Sequence, residues 1–446
     1  MRWNFTMFGA DIAFFSLGLS ISSAYTVLPL FVAHLTANNV AIALIPAIRA
    51  LGLYGPQLLV APLVERLRHA LPFILFVTIF ERVPYLALAF GAVWLAGRSD
   101  GALLALFFAM IFLALLGGGV TYPAWLDMIS RSIPRTWLGR FMGFWWGAGG
   151  VMGIGGAAIA AALLARVAWP LNFALCFGLT FTAMVISFVL LTLGREPARV
   201  LRSTAAASDE AASPRLGRQA RELAELVRAD WALRRLLIAN GLVGIATMAG
   251  ALYAVAALRV GGLSDPEVGV ESTLLFIAMT VGAFLWGAIG DRFGHRAVLI
   301  GGATCAALAA LLALGAHGFV AYAGVFLALG LNLSGVQLAG FTLITNFGPV
   351  ERRPTYVALA SVAYAPFVIG APILGGFLAN AWGYAPVFLL TAAAALAAAL
   401  TLRFWVPDPR SRTARTGAAA ASLSGKTWVA ASQGLARRRR AAALTR

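Results

Sequence analysis

The chain has 446 residues, 61% hydrophobic and only 11% charged, with a formal net charge of +17. That balance excludes a water-soluble protein, because so much apolar surface could not be hidden from water in domains of this length. Cys176 and Cys305 show no metal-ligand spacing and read as packing residues, so no metal site and no cofactor is expected.

Twelve apolar runs of membrane-spanning length follow one another: 8–33, 40–64, 71–96, 102–129, 138–165, 167–193, 236–258, 268–289, 297–316, 319–347, 355–382 and 384–404. They are continuous rather than alternating, which predicts helices and not barrel strands, since a helix satisfies its own backbone in lipid. The first run passes Pro29 without a small-residue cleavage site, and it reads as a span rather than a cleaved leader. An even number of spans places both termini on one side. With the termini in the cytoplasm, 29 of the 34 Lys and Arg residues fall on that side, three (Arg98, Arg166, Arg259) on the other, and two (Arg49, Arg82) inside spans. Basic residues concentrate in this way on the cytoplasmic side of cell-membrane proteins. The net charge is thereby accounted for without a nucleic-acid partner, and the expected partner surface is the lipid bilayer.

The two halves of the chain resemble each other. Gly150 is followed by Gly155 and Gly156, and Gly370 by Gly375 and Gly376, an offset of 220 residues. After span eight stands Gly287-Ala-Ile-Gly-Asp291-Arg292-Phe-Gly294-His-Arg296, and 226 residues earlier Ala61, Glu65 and Arg66 occupy the places of Gly287, Asp291 and Arg292. The division is therefore a six-helix bundle over 1–193, a linker over 194–235, a second bundle over 236–406 and a basic tail over 407–446. Within the linker, Arg215–Arg235 reads either as an amphipathic helix on the membrane surface or as a solvated tether.

Twelve spans, a six-plus-six repeat, a long central loop and G-x-x-x-D-R-x-G-x-R after spans two and eight resemble the major facilitator superfamily over roughly Phe8 to Phe404. The N-terminal copy departs from that pattern, with Ala61 and Arg68 where the family has glycine. The resemblance implies an all-α fold of two six-helix repeats and a monomer that moves small molecules without being an enzyme. It assigns a gate role to Asp291, Arg292, Glu65 and Arg66, with Gly287 and Gly294 shaping the turn and Arg296 facing lipid headgroups. Asp127 and Arg140, at the inner ends of spans four and five, read as bracing of the same gate. The resemblance also gives the cavity lining to spans one, four, seven and ten. Those spans bring Ser20, Tyr25, Tyr122, Trp125, Asn240, Tyr253, Asn332 and Gln337, an aromatic and neutral-polar set suited to an amphipathic solute.

Charges inside spans are costly, about 2.5–3.5 kcal/mol each on insertion scales, and point to function or to a fixed bridge. Arg49 lies ~14 Å into span two, and Glu81 and Arg82 lie ~15–17 Å into span three. Adjacent helical residues point about 100° apart, which favours an Arg49–Glu81 pair. Glu81, Arg49, Arg82 and Asp11 are the candidates for proton coupling, with structural bridging as the competing role. Two further classes of function stand beside a proton-coupled exporter: a membrane enzyme acting on lipid-linked substrates, and a non-transporting sensor.

Overall fold

A computed structural model describes residues 2–198, 225, 227–228, 230–345 and 353–407. Most of the linker, the basic tail and Asn346 to Arg352 lie outside the described residues, as does the side chain of Glu65. The described residues are helical almost throughout and contain no strand. Eleven helices are long and apolar enough to cross a membrane. Span seven is the twelfth. It escapes a length criterion because it is divided into Trp231–Ile245 and Leu252–Arg259.

Span one carries the matching division, as Arg2–Ile21 followed by Val27–Leu35. The two breaks, 22–26 and 246–251, begin 224 residues apart, in step with the offsets of the sequence repeat. They meet inside the molecule: a Cβ on Gly250 would stand 3.7 Å from the Tyr25 ring. Backbone freed at the breaks is taken up by short turns, such as Leu28 N–H to Ser23 O at 3.0 Å and Leu252 N–H to Ala249 O at 2.9 Å. Side chains complete the repair, with the Ser22 and Thr180 hydroxyls 2.7 Å apart. Irregular backbone at this depth is tolerated only where protein or a cavity surrounds it.

The remaining spans are Asn39–Arg66, Leu71–Leu95 with an interruption at Thr78, Asp100–Ser132, Arg135–Arg166 and Leu171–Thr192 in the first half. In the second they are Asp265–Phe293, His295–Leu314, Gly318–Thr345, Arg353–Trp382, and Tyr384–Leu400 extended by a wider turn to Trp405. Their starts are capped locally. Asp230 accepts from Ala232 and Leu233 N–H at 3.0 and 3.2 Å, and Ser264 with Glu267 forms a reciprocal capping box. Large apolar side chains such as Phe284, Val320, Trp382 and Phe404 point outward, as lipid requires, while Phe31, Phe107, Phe173 and Phe177 cluster inside the first half.

Two seams join the halves, span five against span eight and span two against span eleven. The second depends on Gly376. A Cβ there would lie 2.7 Å from Val40 Cα and 2.8 Å from both Asn39 O and Ala43 Cβ, closer than real Cβ atoms come to backbone. Gly376→Val is therefore expected to force spans two and eleven apart and to lower stability by about 1–3 kcal/mol. Thermal unfolding of the purified protein, with spin-label distances across the seam, checks both effects.

Candidate functional site

A cavity of about 640 Å³ lies between the halves, drawn mainly from spans one to five with contributions from spans eight and ten. Of the residues expected to line it, Ser20, Tyr25, Tyr122, Trp125 and Gln337 do so. Asn240, Tyr253 and Asn332 are not among its lining residues. Asn240 is buried away from it, Tyr253 stacks on Phe388 at 5.3 Å between centroids, and Asn332 donates from Nδ2 to Gly302 O at 2.9 Å. In all-helical membrane packing, polar side chains of this kind hold helices together as readily as they meet a ligand. Span seven contributes no lining residue.

The wall of the cavity carries more charge than the neutral-polar expectation: Asp11, Arg49, Glu81 and Arg82 all reach it. Arg82 is pinned on every side. Its Nε donates to Met184 O at 2.8 Å, its Nη1 to Thr78 O at 3.1 Å and also to the Thr78 hydroxyl, and its Nη2 to Ser187 Oγ at 3.1 Å. Ser187 passes the chain on by donating to Asp11 Oδ1 at 2.6 Å. Thr78 likewise donates to Glu81 Oε2 at 3.0 Å, and that carboxylate lies 3.7 Å from Arg82 Nη1. Spans one, three and six are thus tied by one buried chain running Asp11, Ser187, Arg82, Thr78, Glu81.

The ion partner of Glu81 is consequently Arg82 and not Arg49. Helical side chains lean back toward the N-terminus, so residues three and four positions after Thr78 both reach it, and their heads converge although their Cα vectors diverge. Gly118 completes the arrangement: a Cβ there would stand 2.9 Å from Glu81 Oε1, so the carboxylate is drawn against span four and away from span two. Arg49 instead lies over the Tyr25 ring, 5.4 Å from its centroid.

One face of the molecule, remote from the termini, is laced shut. His34 and Asp265 meet at 2.6 Å. Arg259 donates to Thr36 O at 2.8 Å, Ala37 O at 3.0 Å and Asn39 Oδ1 at 2.9 Å. Asn380 accepts from Asn39 N–H at 2.8 Å and donates to Asn38 Oδ1 at 2.6 Å, while Tyr384 donates to Asn39 Oδ1 at 2.9 Å. Nearer the cavity, the Thr26 and Ser272 hydroxyls lie 2.7 Å apart. These hydrogen bonds between the halves all lie on this remote side of the cavity.

The charged turns lie on the face that carries the termini. Gly294 has φ +87°, a conformation that L side chains rarely adopt, and it reverses the chain between spans eight and nine. Among the described residues, nothing lies within 4 Å of where a Cβ on Gly287 would stand. Arg296 donates to Val406 O at 2.6 Å, bracing the end of span twelve instead of facing headgroups. Arg292 lies 5.3 Å over the Phe293 ring, Asp291 ends the same helix one turn after Gly287, and Arg66 is exposed at the end of span two. Asp127 pairs with Arg131 at 2.6 Å, and Arg140 lies 4.9 Å over the Trp137 ring.

Two carboxylates were not singled out by sequence reasoning. Glu196 receives Ala70 and Leu71 N–H, each at 2.8 Å, and Arg131 Nη2 at 2.7 Å, so it caps span three and ties it to span four. Its place in the linker gave no signal. Glu271 is fully buried in span eight with neither carboxylate oxygen hydrogen-bonded among the described residues. It lies one turn beyond Glu267, and a count of charges inside spans would have found it.

Residues 236–444 match the family model described as Major Facilitator Superfamily. Among curated relatives, the putative niacin/nicotinamide transporter NiaP of Bacillus subtilis (strain 168) is 30% identical over 161 residues, 35% of this chain and 39% of that protein. The multidrug resistance protein MdtG of Proteus mirabilis (strain HI4320) is 29% identical over 157 residues, 33% of this chain and 38% of that protein. The chain thus spans less than two fifths of the length of these relatives. In solved structures, the whole architecture is similar to a bacterial homologue of the iron transporter ferroportin in an inward-facing state. The TM-score is 0.65 at 15% identity, covering 92% of this chain and all of that one.

The buried chain through Arg82 makes its removal costly, because the carboxylates would lose their only nearby cation. Arg82→Met should destabilise the protein by about 3–5 kcal/mol, and Arg82→Lys should recover only part of this because it lacks the guanidinium fork. Thermal unfolding in detergent reads both. Glu271→Met should act in the opposite sense, raising stability by about 1–3 kcal/mol by removing an unsatisfied buried group. The same measurement checks it, and unchanged or lowered stability would be the contrary result.

Proposed function

The chain belongs to the Major Facilitator Superfamily, and from that membership we propose that it is a secondary transporter carrying a small amphipathic organic solute across the cell membrane by alternating access. The observation that carries this reading is a central cavity between two halves that are laced together on the side remote from the termini. The excess of basic residues on the terminal side supports a cytoplasmic location for that side, so the conformer is closed to the exterior. The aromatic cavity wall, with Tyr122, Trp125, Trp145 and Trp146, favours a solute with a flat apolar body.

Opening the exterior requires rocking the halves about their two seams. The turns at 61–68 and 287–296 would then close the cytoplasmic side, with Asp291, Arg292 and Arg66 as the charged parts of that gate. Asp11 and Glu81 are the groups proposed to take and release a proton. Each is an acid on the cavity wall linked through a hydroxyl to Arg82, so a change of protonation at one is felt by the cation that also holds the other. Export is the favoured direction, supported by the likeness to a protein named for multidrug resistance. The chain carries its own complete cavity, which supports a working monomer.

Reconstitution in proteoliposomes tests the reading, with nicotinate, nicotinamide and ethidium as probes and an internal pH dye as the second readout. Substrate-dependent proton movement is expected in the wild type. It should fall to background in Glu81→Gln and Asp11→Asn while solute exchange without a pH gradient survives. Proton movement retained in both variants would remove these two acids from coupling. Absence of flux for every probe would count against transport of this solute class.

A further inference from the structure

Arg49 differs from the other charged residues on the cavity wall. Asp11 is held by Ser187, Glu81 by Thr78 and Arg82, and Arg82 by four oxygen acceptors. Among the described residues, no carboxylate lies within 4.0 Å of the Arg49 guanidinium and no hydrogen bond engages it. It is half-buried at the middle of span two, with its charge against the face of Tyr25 at the break in span one. A guanidinium in mid-membrane without a counter-ion is unusual, since such residues pair with one another or with what passes along the pathway.

We infer that Arg49 is the anion-recognition point of the cavity and that the solute is a small aromatic monocarboxylate, its carboxylate on Arg49 and its ring on the neighbouring aromatic wall. The inference rests on the reading of this cavity as the solute site. A single guanidinium offers two parallel N–H donors to one carboxylate. A phosphate ester or a dianion would call for a cluster of cations, and the other cation on the wall, Arg82, has four of its five N–H donors engaged. Tyr25 holds the guanidinium plane from one side by cation–π contact and leaves its edge to the ligand. The cavity volume of about 640 Å³ holds a one- or two-ring acid with room for water. A cationic or neutral amphipath would leave Arg49 buried without a partner, so the site discriminates by charge as well as shape.

Chemical modification of the intact chain in detergent tests this without any need for transport. Phenylglyoxal followed by peptide mass mapping should modify Arg49 and leave Arg82 largely unmodified. Benzoate should protect Arg49, with a half-protecting concentration about tenfold lower than that of benzamide, the difference expected for one charge-assisted carboxylate contact. In thermal unfolding, benzoate should raise the midpoint of the wild type and leave that of Arg49→Gln unmoved. An unreactive Arg49, equal protection by the acid and the amide, or a benzoate shift that persists in Arg49→Gln would each overturn the inference. A protein that binds benzoate in this way and yet moves no solute in proteoliposomes would overturn the transport reading and leave the anion site standing.

Discussion

A chain that crosses hydrocarbon must satisfy its own backbone polar groups, and each failure costs several kcal/mol. Ten of the spans obey with helices that are continuous or nearly so, and this fixes the bundle. Spans one and seven do not. Their breaks at 22–26 and 246–251 fall at corresponding places in the two halves and face each other through Tyr25 and Gly250. Because irregular backbone can survive only in a protein-lined interior, the breaks and the cavity occur together. Span one delivers hydroxyls and bent backbone to the cavity wall, and the break in span seven packs behind it against Tyr25.

The same constraint governs the charges. Inside the membrane a cation persists when oxygen atoms replace its hydration, and Arg82 has that shell from Met184, Thr78 and Ser187. The shell is drawn from spans three and six, and through Ser187 it reaches Asp11 on span one, so these three spans are tied together around it. Arg49 has an aromatic face in place of such a shell and looks into open volume. One arginine is therefore structural in its bonding and the other is available, though both occupy similar depth and both were conspicuous in the sequence for the same reason.

Much of the fold was legible before any coordinates. Run length gave the spans, and charge bias gave their sidedness as an expectation. The offsets of Gly150 with Gly370 and of Glu65 with Asp291 gave the repeat. The site was legible only in part. Residue type picked out Tyr25, Tyr122, Trp125 and Gln337, which line the cavity, together with Tyr253 and Asn332, which do not, because helix-to-helix bonding uses the same side chains. The partner of Glu81 was missed because angular spacing of Cα vectors ignores how long side chains lean along a helix. Glu196 was invisible because its role as a cap on span three comes from a part of the chain 126 residues away from Ala70. The two glycines of the charged turn divide likewise: Gly294 is required by a positive φ, whereas none of the described residues comes close to Gly287.

The lacing on the face remote from the termini converges on a dipeptide. Asn38 and Asn39, between spans one and two, are gripped by Arg259 from span seven, Asn380 from span eleven and Tyr384 from span twelve. Three separate helices of one half thus share a single keystone on the other, and Gly376 brings the backbone close enough for them to do so. Loss of one of these bonds leaves the others in place, so three helices of one half share their hold on a single short loop of the other.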